Sequence, residues 1–83
     1  MPIKVEKKDG RLEDFDRNKV SGGIVKSGAS PTEAETITNQ IETWVQSAVV
    51  NGVVKSSAIR IKVLELVRSV NPEAAASFEA YKK

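Results

Sequence analysis

The residues best equipped for chemistry are the cations of the first nineteen positions. Lys4, Lys7, Lys8, Arg11, Arg17 and Lys19 crowd around an Asp9-Gly10 pair. Ammonium and guanidinium groups that converge on one point hold phosphate through charge-assisted hydrogen bonds. Anion binding is therefore the chemistry this segment offers. Glu6, Asp9, Glu13, Asp14 and Asp16 are interleaved with the cations and leave the segment at +1. On charge alone the set reads as solvated surface. A second basic stretch, Gly52 to Asn71, carries Lys55, Arg60, Lys62 and Arg68 against Glu65, a net of +3.

Other chemistries are excluded or weakened by composition. The 83 residues include no His and no Cys. The commonest general base, the commonest transition-metal ligand and any thiolate nucleophile are all missing. The serines near Ser21, Ser30 and Ser56 sit where helix caps belong rather than where a nucleophile is activated. Glu13, Asp14 and Asp16 could gather a metal ion, but neighbouring Lys and Arg compete for the same carboxylates. Neither the G-x-x-x-x-G-K-[ST] phosphate loop nor the G-x-G-x-x-G fingerprint occurs. These observations point away from an enzyme. The overall charge of +2 is too small to signal a nucleic-acid binder. Apolar and charged fractions of 40% and 29% suit one small folded domain spanning residues 1–83. No apolar run exceeds three residues, far short of a membrane span. No signal region follows the first residues, so a cytoplasmic location is the default expectation.

The elements that must position these groups follow from turn and cap signals. Ile3 and Val5 alternate with Lys4 and Glu6, and Asp9-Gly10 predicts a two-residue hairpin turn with positive φ at both positions. In that register Lys7 faces Leu12 and Glu6 faces Glu13. Ile3, Val5 and Leu12 share the core face, and Phe15 falls on the other unless the chain turns. Lys7 then points inward with Val5, an expensive place for an ammonium unless an anion meets it. The alternatives are that it snorkels to the edge or pairs with a nearby carboxylate.

Four helices are expected next. The first spans about Arg17 to Ser27, capped by Asp16, weakened by Gly22-Gly23 at about 1 kcal/mol each and closed by Gly28. The second has Ser30 as cap, Pro31 at its first position and Glu33 completing a capping box. Its apolar stripe is Ala34, Ile37, Ile41, Trp44 and Ala48, with an end near Asn51-Gly52. Val53-Val54-Lys55 reads as a third strand. Ser56 or Ser57 caps a third helix with stripe Ile59, Val63, Leu66, Val67 and Val70, and Asn71-Pro72-Glu73 opens a fourth carrying Ala75, Phe78 and Tyr81. Trp44, Phe78 and Tyr81 read as core aromatics. The fold class is α+β: a hairpin with a short third strand, a small mixed sheet, capping a four-helix bundle.

The run Val5-Glu6-Lys7-Lys8-Asp9-Gly10-Arg11, followed by Glu13-Asp14-Phe15-Asp16 and Lys19-Val20, resembles the opening of an ATP-cone domain. Val54-Lys55-Ser56-Ser57-Ala58-Ile59 resembles the family's second signature, and Phe78-Glu79-Ala80-Tyr81-Lys82 is similar to its aromatic close. The resemblance implies a non-catalytic, allosteric module that binds ATP or dATP, with or without Mg²⁺, on a four-helix bundle capped by three strands. It implies that Lys7, Lys8 and Lys19 face the phosphates. Glu13 and Asp16 would lie near base and sugar, and Val5 and Val20 would wall the base. Ser56 would sit at a helix start that favours anions. Arg60 stands where some members carry His near the phosphates, keeping the positive charge, and the final two lysines offer further phosphate contacts. Glu13 and Asp16 also read as a cap or as partners of Lys19, and Ser56 as a cap alone. With three or four cations at a half-exposed site the affinity should be roughly micromolar. A regulatory module of this size implies a protein partner, self-association or excision from a longer chain. The alternatives are a helical protein-interaction domain with a degenerate nucleotide site and, with less support, a nucleic-acid-binding domain using the basic stretch around Arg60.

Overall fold

A computed structural model describes residues 3–80. The chain runs β1 (Lys4–Glu6), β2 (Leu12–Asp14), α1 (Arg17–Lys26), α2 (Pro31–Ala48), β3 (Val53–Lys55), α3 (Ser56–Val70) and α4 (Pro72–Ala80). This is the expected α+β arrangement of a small mixed sheet and four helices. Sheet order is β2-β1-β3, with β1 antiparallel to β2 and parallel to β3. The parallel pairing requires a long crossover, and α1 with α2 supplies it. Tyr81 and the two final lysines lie outside the described residues.

The hairpin departs from expectation by one residue. Lys7 N–H donates to the Arg11 carbonyl and Gly10 N–H to the Lys7 carbonyl, at 2.8 and 2.9 Å. The loop is therefore three residues, Lys8-Asp9-Gly10, with only Gly10 left-handed at φ +88°. This is a type I turn followed by a glycine bulge rather than the two-residue turn. The Asp9 carboxylate fixes it by accepting from the Arg11 backbone N–H and Nε. The slip pairs Val5 with Glu13 and Glu6 with Leu12. A one-residue shift transposes every side chain of the strand. Leu12 is on the outer face, 55% exposed, and not in the core as expected, while Phe15 pairs with Ile3 and turns inward against the core. The tight positive-φ turn occurs instead at Asn51 and Gly52, φ 55° and 77°, between the mutually bonded Val50 and Val53. Consequently α2 stops at Ala48, short of that pair.

Helices α1, α2 and α4 start where side chains satisfy their free N–H groups. Asp16 accepts from Asn18 N–H at the head of α1, Ser30 and Glu33 close a capping box on α2, and the Asn71 amide oxygen accepts from Ala74 N–H at the head of α4. The core is Ile24 of α1, Ile37, Ile41 and Val45 of α2, Ile59, Val63 and Val67 of α3, and Ala74 and Ala75 of α4. Val5 and Val54 close it from the sheet, and Trp44 and Phe78 pack on it half-buried. Val70, expected on the α3 stripe, is 47% exposed at the helix end.

Two positions in this framework are under-optimised. The Thr38 hydroxyl is fully buried without a hydrogen-bond partner. Burying an unpaired hydroxyl costs about 1–3 kcal/mol, so Thr38→Val should raise stability by about 1 kcal/mol in urea unfolding. Gly22 lies mid-helix on α1, and a Cβ there meets no atom within 4 Å. Gly22→Ala should therefore add about 0.5–1 kcal/mol from helix propensity alone, read as a higher thermal midpoint.

Candidate nucleotide-binding site

The hairpin's inner face does not rest fully on the helices. Between it and the start of α1 and α3 lies a cavity of about 170 Å³ lined by Val5, Lys7, Glu13, Asp14, Phe15, Asp16, Lys19, Val20, Ser56 and Ile59. Val5, Val20, Phe15 and Ile59 give it an apolar wall. Lys7, Glu13, Asp16, Lys19 and Ser56 give it a polar rim. Lys7 points here because it is two residues beyond Val5 on the same strand face. Glu13 points here because of the register slip; in the two-residue-turn register it would face outward.

The neighbouring groove carries more cations. Lys7 and Ser56 continue into a groove of about 220 Å³ shared with Glu6, Lys8, Lys55 and Ser57. It lies at the N-terminus of α3, and this helix start differs from the others. Its N-cap is Lys55, which makes no side-chain cap hydrogen bond. Ser56 is thus the first residue of α3 and not the cap that the sequence suggested, nor is Ser57. The positive end of the helix faces the groove without a capping side chain, an arrangement that favours an anion.

Lys4 and Arg17 of the first segment, and Arg60 of the second, are committed elsewhere. Lys4 hydrogen-bonds the Asp14 carboxylate on the outer face. Arg17 turns to α2, where Nη2 reaches Glu35 Oε2 at 3.0 Å and Asn39 Oδ1 at 2.9 Å and Nε meets Glu42 Oε1 at 3.1 Å. The hydrogen bond to Glu35, then that to Glu42, raises the Arg17 guanidinium above its ordinary value. Arg60 does not line the cavity. Its guanidinium donates to the carbonyls of Phe78 and Glu79 at 3.2 and 3.3 Å and lies 5.0 Å from the Phe78 ring centroid. It closes the C-terminal end of α4.

Among the described residues no group of His, Cys, Asp and Glu could hold a metal ion. The expected acidic cluster is dispersed: Asp14 binds Lys4, Asp16 caps α1, and Glu13 faces cations. The hydrogen bond from Lys4, then its charge, hold the Asp14 carboxyl below its ordinary value. A carboxyl lowered in the folded state stabilises the fold above its unfolded pKa, and that contribution is lost as pH falls through the folded value. Acid melts between about pH 5 and 2 should fall less steeply for Asp14→Asn than for the parent. No described helix is long and apolar enough to cross a membrane.

The resemblance implies a site of Val5, Lys7, Glu13, Asp16, Lys19, Val20 and Ser56 among others, and these seven line one cavity. Lys8 lies in the adjoining groove. Sequence reasoning misses Phe15, Ile59 and Asp14 as lining residues. The two-residue-turn register sends Phe15 outward, and the α3 stripe marks Ile59 as core alone; its place one turn past Ser56 is the available signal.

The hairpin lies over the helix bundle, and the cleft at their junction has an apolar wall and a mixed-charge lining of Lys7 and Lys19 with Glu13, Asp14 and Asp16. The chain belongs to the ATP cone domain family, whose sequence pattern matches residues 3–83. That family comprises nucleotide-binding regulatory modules. The chain is also 48% identical over 50 residues to the transcriptional repressor NrdR of Microcystis aeruginosa (strain NIES-843 / IAM M-2473). That match covers 55% of this chain and 29% of the repressor, so the chain spans less than a third of its relative.

Proposed function

We propose that this chain is a single non-catalytic regulatory unit that binds ATP or dATP in the cleft between the hairpin and the starts of α1 and α3. The observation that carries this reading is Lys7, an ammonium just past β1 that lines the cleft with Ser56 at a helix start with no capping side chain. The adenine would lie against Val5, Phe15, Val20 and Ile59. Asp16 and Glu13 would accept from its amino group or the sugar hydroxyls. The phosphates, with or without Mg²⁺, would extend past Lys7 toward Lys8 and the head of α3, with Lys19 at the rim.

Regulation would work by population shift. Nucleotide favours one arrangement of hairpin and helices, and a partner surface or a second copy reads it. The likeness to a transcriptional repressor supports a role in sensing nucleotide for gene control in the cytoplasm. Five carboxylates in the hairpin segment disfavour direct nucleic-acid contact by this part of such a protein. The competing reading, a helical interaction domain with a degenerate site, is favoured only by Arg60, which is engaged with α4. Calorimetric titration separates the two. ATP and dATP should bind with roughly micromolar affinity and GTP more weakly. Absence of heat with every purine triphosphate up to millimolar concentration refutes the proposal.

A further inference from the structure

Ion pairs among the described residues fall into two sets. The five that do not involve Glu13 are short: Lys4–Asp14, Arg11–Asp9, Arg17–Glu35, Arg17–Glu42 and Lys62–Glu65, none longer than 3.1 Å. The three that involve Glu13 are long. Its Oε1 lies 3.8 Å from Lys7 Nζ and 3.9 Å from Lys19 Nζ, and its Oε2 lies 3.7 Å from Arg11 Nη1. None of these is close enough for a hydrogen bond. One carboxylate is thus shared by three cations and bonded to none, on a side chain only 32% exposed. It is the carboxylate that these three cations have in common.

We propose that Glu13 is a built-in competitor anion that holds the place of phosphate beside Lys7 in the free protein, and so makes the site select nucleotides over bare polyphosphate. The inference rests on the binding site proposed above. Any incoming phosphate must displace the carboxylate from its shared position. A polyphosphate alone offers the displaced carboxylate no hydrogen-bond donor, so the repulsion at close range stands uncompensated. An adenine nucleotide brings N–H and O–H donors along with its phosphates. The same carboxylate can then move off the lysines and accept from the base or sugar. One residue both weakens the wrong ligand and rewards the right one, which is how discrimination is built into charged sites. The loose geometry fits this role, because a carboxylate locked in short bonds would not yield its place.

The test compares ATP and tripolyphosphate by calorimetry at low salt on the parent, Glu13→Gln and Glu65→Gln. The last removes the same charge from a remote pair with Lys62. Glu13→Gln should bind tripolyphosphate at least about five-fold tighter while its ATP affinity stays the same or falls. Glu65→Gln should move neither by more than about two-fold. In the unsubstituted protein, the Glu13 carboxyl ¹³C resonance should shift on adding either ligand, a readout independent of any variant. If the parent binds ATP but Glu13→Gln leaves tripolyphosphate affinity unchanged, or the Glu13 resonance stays still, the competitor role is overturned and the nucleotide site stands. If the parent binds neither ligand, both fail.

Discussion

Ile41→Ala should destabilise this fold by about 3–4 kcal/mol. Ile41 is completely buried in the middle of α2, beside the equally buried Ile37 and Val45, where α1 and α3 pack against that helix. Truncation removes three carbons from a close-packed interior, and flanking backbone on a regular helix cannot collapse into the space. A chain of this size has a total stability of only about 4–12 kcal/mol. The loss therefore takes a quarter or more of the margin and should lower the thermal midpoint by about 15–25 °C. Ile61→Ala is the matched control. The same atoms are deleted from α3, but Ile61 is 68% exposed, and the change should stay within about 0.5 kcal/mol. Equal effects at the two positions would mean that the assigned helix faces are wrong.

Lys7→Ala should weaken ATP binding about ten-fold or more and leave the thermal midpoint nearly unchanged. The binding effect follows from losing one charge-assisted contact to the phosphates, worth about 1.5 kcal/mol at a half-exposed position. Lys7 is 39% exposed along its side chain, so its ammonium is partly desolvated without being buried. The stability effect is small for a separate reason. Glu13, the carboxylate it would abandon, keeps Arg11 and Lys19 within 3.9 Å, so no charge is left unpaired. Half-exposed ion pairs of this length contribute at most about 1 kcal/mol. Calorimetry and a thermal melt on the same sample check both halves. A variant that binds ATP as the parent does would place the phosphates elsewhere.

Much of this was legible in the chain because local signals agreed with one another. Ser30, Pro31 and Glu33 specify the start of α2 through three independent mechanisms, and the structure has all three. The period of Ala34, Ile37 and Ile41 marks the buried face of α2, whose last turn buries Val45 rather than the predicted Trp44 and Ala48. Hairpin register was harder, since Asp-Gly suits both a two-residue turn and a type I turn with a glycine bulge. The choice is made by what the strands bury. Phe15 gains more from the core than Leu12 does, and the longer loop turns Phe15 inward. That same choice brings Glu13 into the cleft, so the site could be assembled from family likeness but not from the predicted strand faces. Arg60 was beyond sequence reasoning for a different reason. Its partners are backbone carbonyls of α4, which every sequence possesses and none advertises.

The cleft itself is tested most directly by following backbone amide resonances during titration with ATP. Shifts should concentrate on Val5 to Lys8, Glu13 to Val20 and Ser56 to Ile59, with α2 and the C-terminal half of α3 nearly silent. Shifts centred on the outer sheet face around Leu12 and Val50, or spread over α2, would contradict a nucleotide site beneath the hairpin.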